Sequence, residues 1–454
     1  MLPLQVESFY THWLKLRGGQ EGYVYDRQLA PLGPLPKLEL LPKVVGEERL
    51  HWLSKCALLK LNGGLATTMG LVGLPKSLVE VRPQWTFLDL VLRQLQGQRQ
   101  LVEGPSLPLF FLDSFHTSQA TREALAEGLR LEPQSEDWEL MQSQVPRVAA
   151  KDLAPYTDPQ DPESEWCPPG HGDLYLTLYL SGLIPKLLAG GYRYLFISNI
   201  DNLGATLDWR LPKFMAHTQA PMLMEVARRT PMDNKGGHLS RDRAGHLLLR
   251  EASMCPPQER DSFGDIERYR YFNTNNLWLD LQALAHILAR RRGLLPLPVI
   301  CNRKEVGPKG ARQAVWQLET ACGSLISTWP QAQAIEVGRD RFLPVKSAAD
   351  LLLMRSDCFH LEEGVLKAYR APFTPPLVKL APEQSTLQGL EELCPQGVPS
   401  LRECQSLEIK RPVTLGAGVK CRGQVIIDLP AGTQIPAGAL LEGVVDSVAS
   451  KARV

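Results

Sequence analysis

In the segment CALLKLNGGLATTMGLVGLPKS, an apolar run is followed by Asn62, Gly63, Gly64, Gly70 and Gly73 and closes on Lys76. Glycines just past a strand let backbone N–H groups face a phosphate chain without Cβ obstruction, and a lysine at the far end adds a point charge. The segment is a candidate triphosphate cradle, with a glycine-rich structural turn as the alternative. It is neither G-x-x-x-x-G-K-[ST] nor G-x-G-x-x-G, so neither a Walker-type ATPase nor a dinucleotide enzyme is indicated. In PPGHGDLYLTL, His171 sits in a tight loop ahead of an expected helix, whose first amides form an anion site. A histidine there can donate to a phosphate or sugar hydroxyl, or serve as a hydrogen-bonded structural residue.

Asp201 follows the apolar run of YLFISNIDNLGATLD. A carboxylate at a strand's carboxyl end can hold Mg²⁺ beside substrate phosphates, since Mg²⁺ takes only one or two protein carboxylates; a turn or cap role is the common alternative. Asp208, seven residues later, is expected on the following helix. Lys235 with Gly236 and Gly237 marks a loop approaching a ligand. Asn273, Asn275 and Asn276 offer amides suited to sugar hydroxyls, or form an asparagine-rich turn between strands. Lys346, between the apolar FLPV and a helix start, would meet a phosphate with little competition from water if its flanks are buried.

These residues need a frame. The 454 residues, 44% hydrophobic, suffice for one large domain and a smaller one. Short apolar runs (CALLKLN, LPLFFLDSF, YRYLFISNID) alternate with amphipathic stretches (TFLDLVLRQLQ, ATREALAEGLRL, DLYLTLYLSGLIPKLLAGG), which predicts a parallel, doubly wound sheet with ligands at the carboxyl ends of its strands. Residues 1–50 read as a proline-rich lead-in wrapped over a core, 51–382 as the catalytic domain, and 383–454 as stacked β-coils or an irregular β-rich tail. A net charge of +1 gives no general attraction to nucleic acid or to an anionic membrane. Nine scattered cysteines without a C-x-x-C pair argue for reduced thiols in a cytoplasmic protein. The sequence has no secretory h-region and no run of about 18 apolar residues.

Together and in this order, LKLNGGLATTMG, the PKS lysine, PPGHGD, SNIDNLGA, KGG, FNTNNLW, RFLPVKSAADLLL and PPLVKL resemble the UTP–glucose-1-phosphate uridylyltransferase family. The resemblance implies an α/β fold with a Rossmann-like nucleotide-diphospho-sugar transferase core, a mixed, mostly parallel sheet and a C-terminal left-handed β-helix. It implies formation of UDP-glucose and pyrophosphate from UTP and glucose 1-phosphate, by Mg²⁺-dependent in-line attack on the α-phosphate. Residue by residue, Leu61, Asn62, Gly63 and Gly64 would contact UTP, Gln142 and Gly170 its uracil, and Lys76 its phosphates. His171, Asn199, Ile200 and Asp201 would meet the substrate, with Asp201 on the metal, and Gly237, Glu251, Asn273 and Asn275 would line the sugar pocket. Lys346 resembles the family's catalytic lysine. Ala66 stands where the family has glycine, an expected strain if that glycine needs positive φ, and the stretch from Gly70 to Lys76 is one residue longer, an expected displacement of Lys76. Another sugar 1-phosphate, such as galactose 1-phosphate or an N-acetylhexosamine 1-phosphate, or a non-catalytic UDP-sugar-binding role, are the rival readings. Self-association through the C-terminal coils is a further expectation.

Overall fold

Alternation of side chains across a strand explains how the apolar runs build two cores at once. In β1 (Cys56–Leu61), Cys56 and Leu58 pack on one face while Ala57, Leu59 and Leu61 pack on the other, and all six residues are buried. The computed structural model describes residues 1–447 apart from 21, 44–45, 72, 101–106, 128–137, 231–232, 234–235, 309–310, 363–364 and 370–373. Lys235 lies outside the described residues.

Around β1 stand β2 (Leu109–Asp113), β3 (Glu139–Met141), β4 (Tyr194–Asn199), β5 (Met222–Arg228), β6 (His238–Arg241), β7 (Leu247–Arg250), β8 (Tyr271–Asp280) and β9 (Gln333–Val337). The order is β7-β6-β8-β4-β1-β2-β3, with β5 pairing both β8 and β9. The sheet is mixed. The run β4-β1-β2-β3 is parallel, as is β5 with β9, whereas β8 is antiparallel to β4, β5 and β6. Leu61 and Asn199 are paired at the carboxyl ends of β1 and β4, so the glycine-rich loop and the Asp201 loop leave the sheet side by side.

Helices α1 (Pro3–Arg17), α2 (Phe87–Gln100), α3 (Ser118–Glu127), α4 (Leu174–Ser181), α5 (Leu183–Ala189), α6 (Arg210–Thr218), α7 (Leu281–Arg291) and α8 (Ala348–Arg355) accompany the sheet. The single helix expected over DLYLTLYLSGLIPKLLAGG is two, because Gly182 takes φ +66°, ending α4 and starting α5. Asp208 is not on a helix; it lies ahead of α6, accepting from the Arg210 N–H at 3.0 Å and pairing with its guanidinium. The alternative of an asparagine-rich turn between strands is ruled out, because Asn273, Asn275 and Asn276 all lie inside β8.

The lead-in is strapped to the sheet: Ala30 bridges Arg241 and Lys37 bridges Glu336, with Leu32 and Leu38 buried. At the other end, Leu377–Lys379, Ser400–Ile409, Lys420–Asp428 and Leu440–Asp446 stack in parallel. Ser400 pairs with Lys420 and Lys420 with Leu440, a 20-residue coil, and Val413–Leu415 with Thr433–Ile435 forms a second parallel face. The tail is therefore coiled rather than irregular, and its Leu407, Val425 and Ile427 join the same buried cluster as Phe196 and Trp278 of the central sheet. All nine cysteines are free, and among the described residues no helix is long and apolar enough to cross a membrane.

Candidate functional site

The glycine-rich loop closes on itself where β1 ends. Leu65 bridges Pro75, the Ala66 N–H donates to Leu74 at 3.0 Å, and the Lys76 N–H donates back to the Gly64 carbonyl at 3.0 Å. The stretch returns Lys76 to the start of the loop, and its ammonium pairs with the Asp201 carboxylate. Nor is Ala66 strained: it has φ −83° and its methyl is fully buried. Gly63 lets the Gln142 side chain approach closely: a Cβ there would lie 2.0 Å from Gln142 Nε2, which would have to move aside. Gln142 is set by its N–H donating to Asp113 O at 2.8 Å. The Asn62 side chain turns inward instead, donating to Asp113 Oδ1 at 2.7 Å and Thr121 Oγ1 at 3.0 Å, so only its backbone can meet a nucleotide. Burial pushes the Asp113 carboxyl up to about 7 against the bonds from Thr117, Asn62 and Thr121.

Gly170 holds φ +79° with Thr320 O 2.6 Å from where a Cβ would be, which pins the loop ahead of α4. Asp173 ties the same turn to the Gln142 strand end, accepting from the Ser143 N–H at 2.6 Å and Oγ at 3.0 Å. His171 Nδ1 accepts the Cys322 N–H at 3.0 Å, leaving Nε2 to carry the proton as a donor. Burial, aided by the Lys346 charge, pushes its pKa down to about 4, so the ring is neutral at physiological pH.

A cleft of about 420 Å³ brings together His171, Asn199, Gly237, Glu251, Asn273, Asn275 and Lys346. Leu61, Asn62, Gly63, Gly64, Lys76, Gln142, Gly170, Ile200 and Asp201 do not line it; backbone bonds tie Leu61, Ile200 and Asp201 to its edge. Ile200 N donates to Leu61 O at 3.2 Å, and Val345 N donates to Asp201 O at 3.3 Å, immediately before Lys346. The asparagines reach the cleft through a bulge. Glu225 pairs with Asn276 while Val226 pairs with Asn273, which pushes Thr274 and Asn275 out of register and leaves Asn275 at φ +59°. There Asn275 Nδ2 donates to Asn199 Oδ1 at 2.8 Å and Asn273 Nδ2 to Glu251 Oε1 at 3.3 Å. Burial raises the Glu251 pKa, opposed by Asn273 and Lys346.

Lys346 is anchored at its backbone: its N–H and that of Ser347 each donate to Asp350 Oδ2 at 2.9 Å, within the capping box of α8. Its flanks Phe342, Leu343 and Val345 are buried, but Lys346 itself is exposed, so the expected exclusion of water does not hold.

Several supporting residues have no loop signature to betray them. Glu225, fully buried, accepts from Arg341 Nε and Nη2 at 2.7 Å each, from Trp278 Nε1 at 2.9 Å and from Asn276 Nδ2 at 3.2 Å. Arg341 O in turn accepts from Asn202 Nδ2 at 3.2 Å, locking the Asp201 loop to the Lys346 segment. Removing one member leaves a buried charge unpaired, so Glu225→Ala is expected to cost about 3–5 kcal/mol in denaturant unfolding. A loss below about 1 kcal/mol would remove this pair from the support of the site. Lys60, only 2% exposed, donates to Ser198 Oγ at 2.8 Å and Ala205 O at 3.2 Å beneath the same loop. Burial, with the Arg341 charge, pushes its pKa down to about 7 against the pull of Asp201 and Glu225. A lone lysine in the otherwise apolar CALLKL was its only sequence signal.

Among the described residues no group of three or more His, Cys, Asp or Glu could cage a metal. One buried carboxylate at a strand end, Asp201, suits instead an ion held mainly by phosphates.

A family model described as UTP–glucose-1-phosphate uridylyltransferase matches residues 31–422. The UTP–glucose-1-phosphate uridylyltransferase of Saccharomyces cerevisiae is 40% identical, over 97% of this chain and 88% of that protein, and that of Hordeum vulgare 38% over 97% and 89%. A UDP-glucose pyrophosphorylase mutant from Leishmania major, crystallised in complex with UDP-glucose, superposes with a TM-score of 0.91 at 39% identity, covering 97% of this chain and 95% of that one.

Proposed function

The chain belongs to the UTP–glucose-1-phosphate uridylyltransferase family, and we infer from this that it joins glucose 1-phosphate to UTP, releasing pyrophosphate and UDP-glucose. The observation that carries the assignment of roles is a convergence: Lys76 meets Asp201, Asp201 is bonded to Val345, and the next residue, Lys346, faces His171 and Asn199 across one cleft.

In this reading the backbone of Leu61–Gly64 receives UTP, and the Gln142 amide, close beside Gly63, reads the uracil with Gly170. The amides of Asn273 and Asn275 and the carboxyl of Glu251 take the sugar hydroxyls beside Gly237. His171 donates from Nε2, and the backbone of Ile200 sets the Asn199–Asp201 turn. The glucose 1-phosphate oxygen attacks the α-phosphorus in line with departing pyrophosphate. Positioning and charge neutralisation do the work, with Lys76 and Lys346 countering the phosphates and no side chain acting as nucleophile. Asp201 would hold Mg²⁺, which when bound neutralises phosphate charge.

The nine free cysteines favour a cytoplasmic setting, the resemblance gives the coil stack a left hand, and the edges of that stack would serve either self-association or an unpartnered capping role. The test is pyrophosphate release from UTP with glucose 1-phosphate, galactose 1-phosphate and N-acetylglucosamine 1-phosphate in parallel. Glucose 1-phosphate is expected to give the highest kcat/KM. Preference for another sugar would overturn the substrate, and no release with any sugar would overturn the activity.

A further inference from the structure

The segment ahead of the first sheet strand inserts one carboxylate behind the cleft. We propose that Asp26 is a positioning residue for the sugar 1-phosphate, holding Arg250 and through it the adjacent Glu251 on the cleft wall. The proposal rests on reading that cleft as the sugar pocket.

Arg250 ends β7 with its side chain fully buried; among the described residues its Nη2 donates to Glu259 at 2.6 Å, and its Nη1, which makes no hydrogen bond, forms an ion pair with Asp26 at 3.6 Å. The next residue, Glu251, is where the chain enters the cleft. Asp26 is itself clamped: its Oδ1 accepts from Ser262 Oγ at 2.8 Å and from the Tyr269 hydroxyl, its Oδ2 pairs with Arg268 at 2.7 Å, and its N–H donates to Glu259 Oε2 at 2.7 Å. Tyr269 stacks on His238, ring centroids 4.0 Å apart, and His238 is paired with Arg250 and follows Gly237, the second cleft residue on this wall. Two neighbouring strand ends that carry sugar-pocket residues are therefore backed by one cluster, and the acidic centre of that cluster comes from the lead-in. The strap is held on either side by Val24 N–H donating to Met254 O at 2.8 Å and by the Ala30–Arg241 bridge. Asp26 lies outside the residues matched by the family model.

A buried guanidinium that loses one of two counter-charges shifts toward the remaining one, and Glu251 shifts with it. The UTP side of the site, on β1, β2 and the Gln142 strand end, has no contact with this cluster in the bonds above. In the full chain, Asp26→Asn is expected to raise the KM for glucose 1-phosphate about tenfold while the KM for UTP and kcat stay within about twofold. An unchanged glucose 1-phosphate KM, or equal rises in both KM values, overturns the proposal. If Asp26→Asn does not fold, the same split is read on Asp26→Glu, which keeps the charge and moves it by one methylene: a selective rise supports the proposal and an unselective or absent one overturns it. Failure of the wild type to release pyrophosphate with glucose 1-phosphate sinks the functional reading itself, whereas an active wild type with an unselective variant sinks only the role of Asp26.

Discussion

Replacing Lys346 by alanine is expected to lower kcat by about three orders of magnitude while leaving the fold intact, because in the proposed reading its charge meets the departing pyrophosphate, and among the described residues it is the only lysine or arginine lining the cleft. The two halves of that statement rest on different atoms. Stability is carried by the backbone, where the Lys346 N–H bonds Asp350 and the buried Leu343 and Val345 hold the segment, and none of this is lost on truncation. An exposed side chain removed from such a frame changes unfolding free energy by about 0.5 kcal/mol or less. The proposed role in turnover belongs to the ammonium, whose charge depresses the pKa of His171 and opposes the rise at Glu251. Single-turnover pyrophosphate release and urea unfolding on the same preparation separate the two. A kcat within about tenfold of wild type would take Lys346 out of the chemistry.

The sequence made this lysine a candidate by its place between apolar flanks and a helix start and by the resemblance of RFLPVKSAADLLL, and on solvation the expectation failed. Its apolar neighbours in sequence are buried, yet Lys346, one residue before the N-cap Ser347, is bonded to Asp350 through its backbone N–H while its side chain is exposed at the cleft. Strands β1, β2 and β4 were legible because buried central strands are continuous apolar runs. Their carboxyl ends then located the loops of Gly63 and Asp201 without further information. The bulge in β8 was not legible: FNTNNLWLD has the composition of a turn, and only pairing with Glu225 on one side and Ile197 on the other keeps it a strand. The Glu225–Arg341 pair joins positions 116 apart and Asp26–Arg250 a still longer separation, and neither leaves a local periodicity. Asn62 shows the opposite error, a motif residue whose side chain serves the core rather than the ligand.

Asp201→Asn is the other large effect, expected to reduce kcat by about three orders of magnitude at saturating Mg²⁺. The substitution is nearly isosteric and keeps the backbone carbonyl that accepts from Val345, so the loop stays where it is. What is lost is one negative charge, and that charge has two candidate uses: it pairs with the Lys76 ammonium, and in the proposed reading it would hold a cation shared with phosphates. The double variant Lys76→Met with Asp201→Asn separates them. If Asp201 serves only to hold Lys76 in place, removing the lysine first leaves nothing for the second change to harm, and the double variant matches Lys76→Met alone. If Asp201 also holds the metal, the double variant is slower than Lys76→Met, and its residual activity no longer rises with Mg²⁺ concentration as the single lysine variant's does. Retention of wild-type Mg²⁺ dependence in Asp201→Asn would place the ion on another residue.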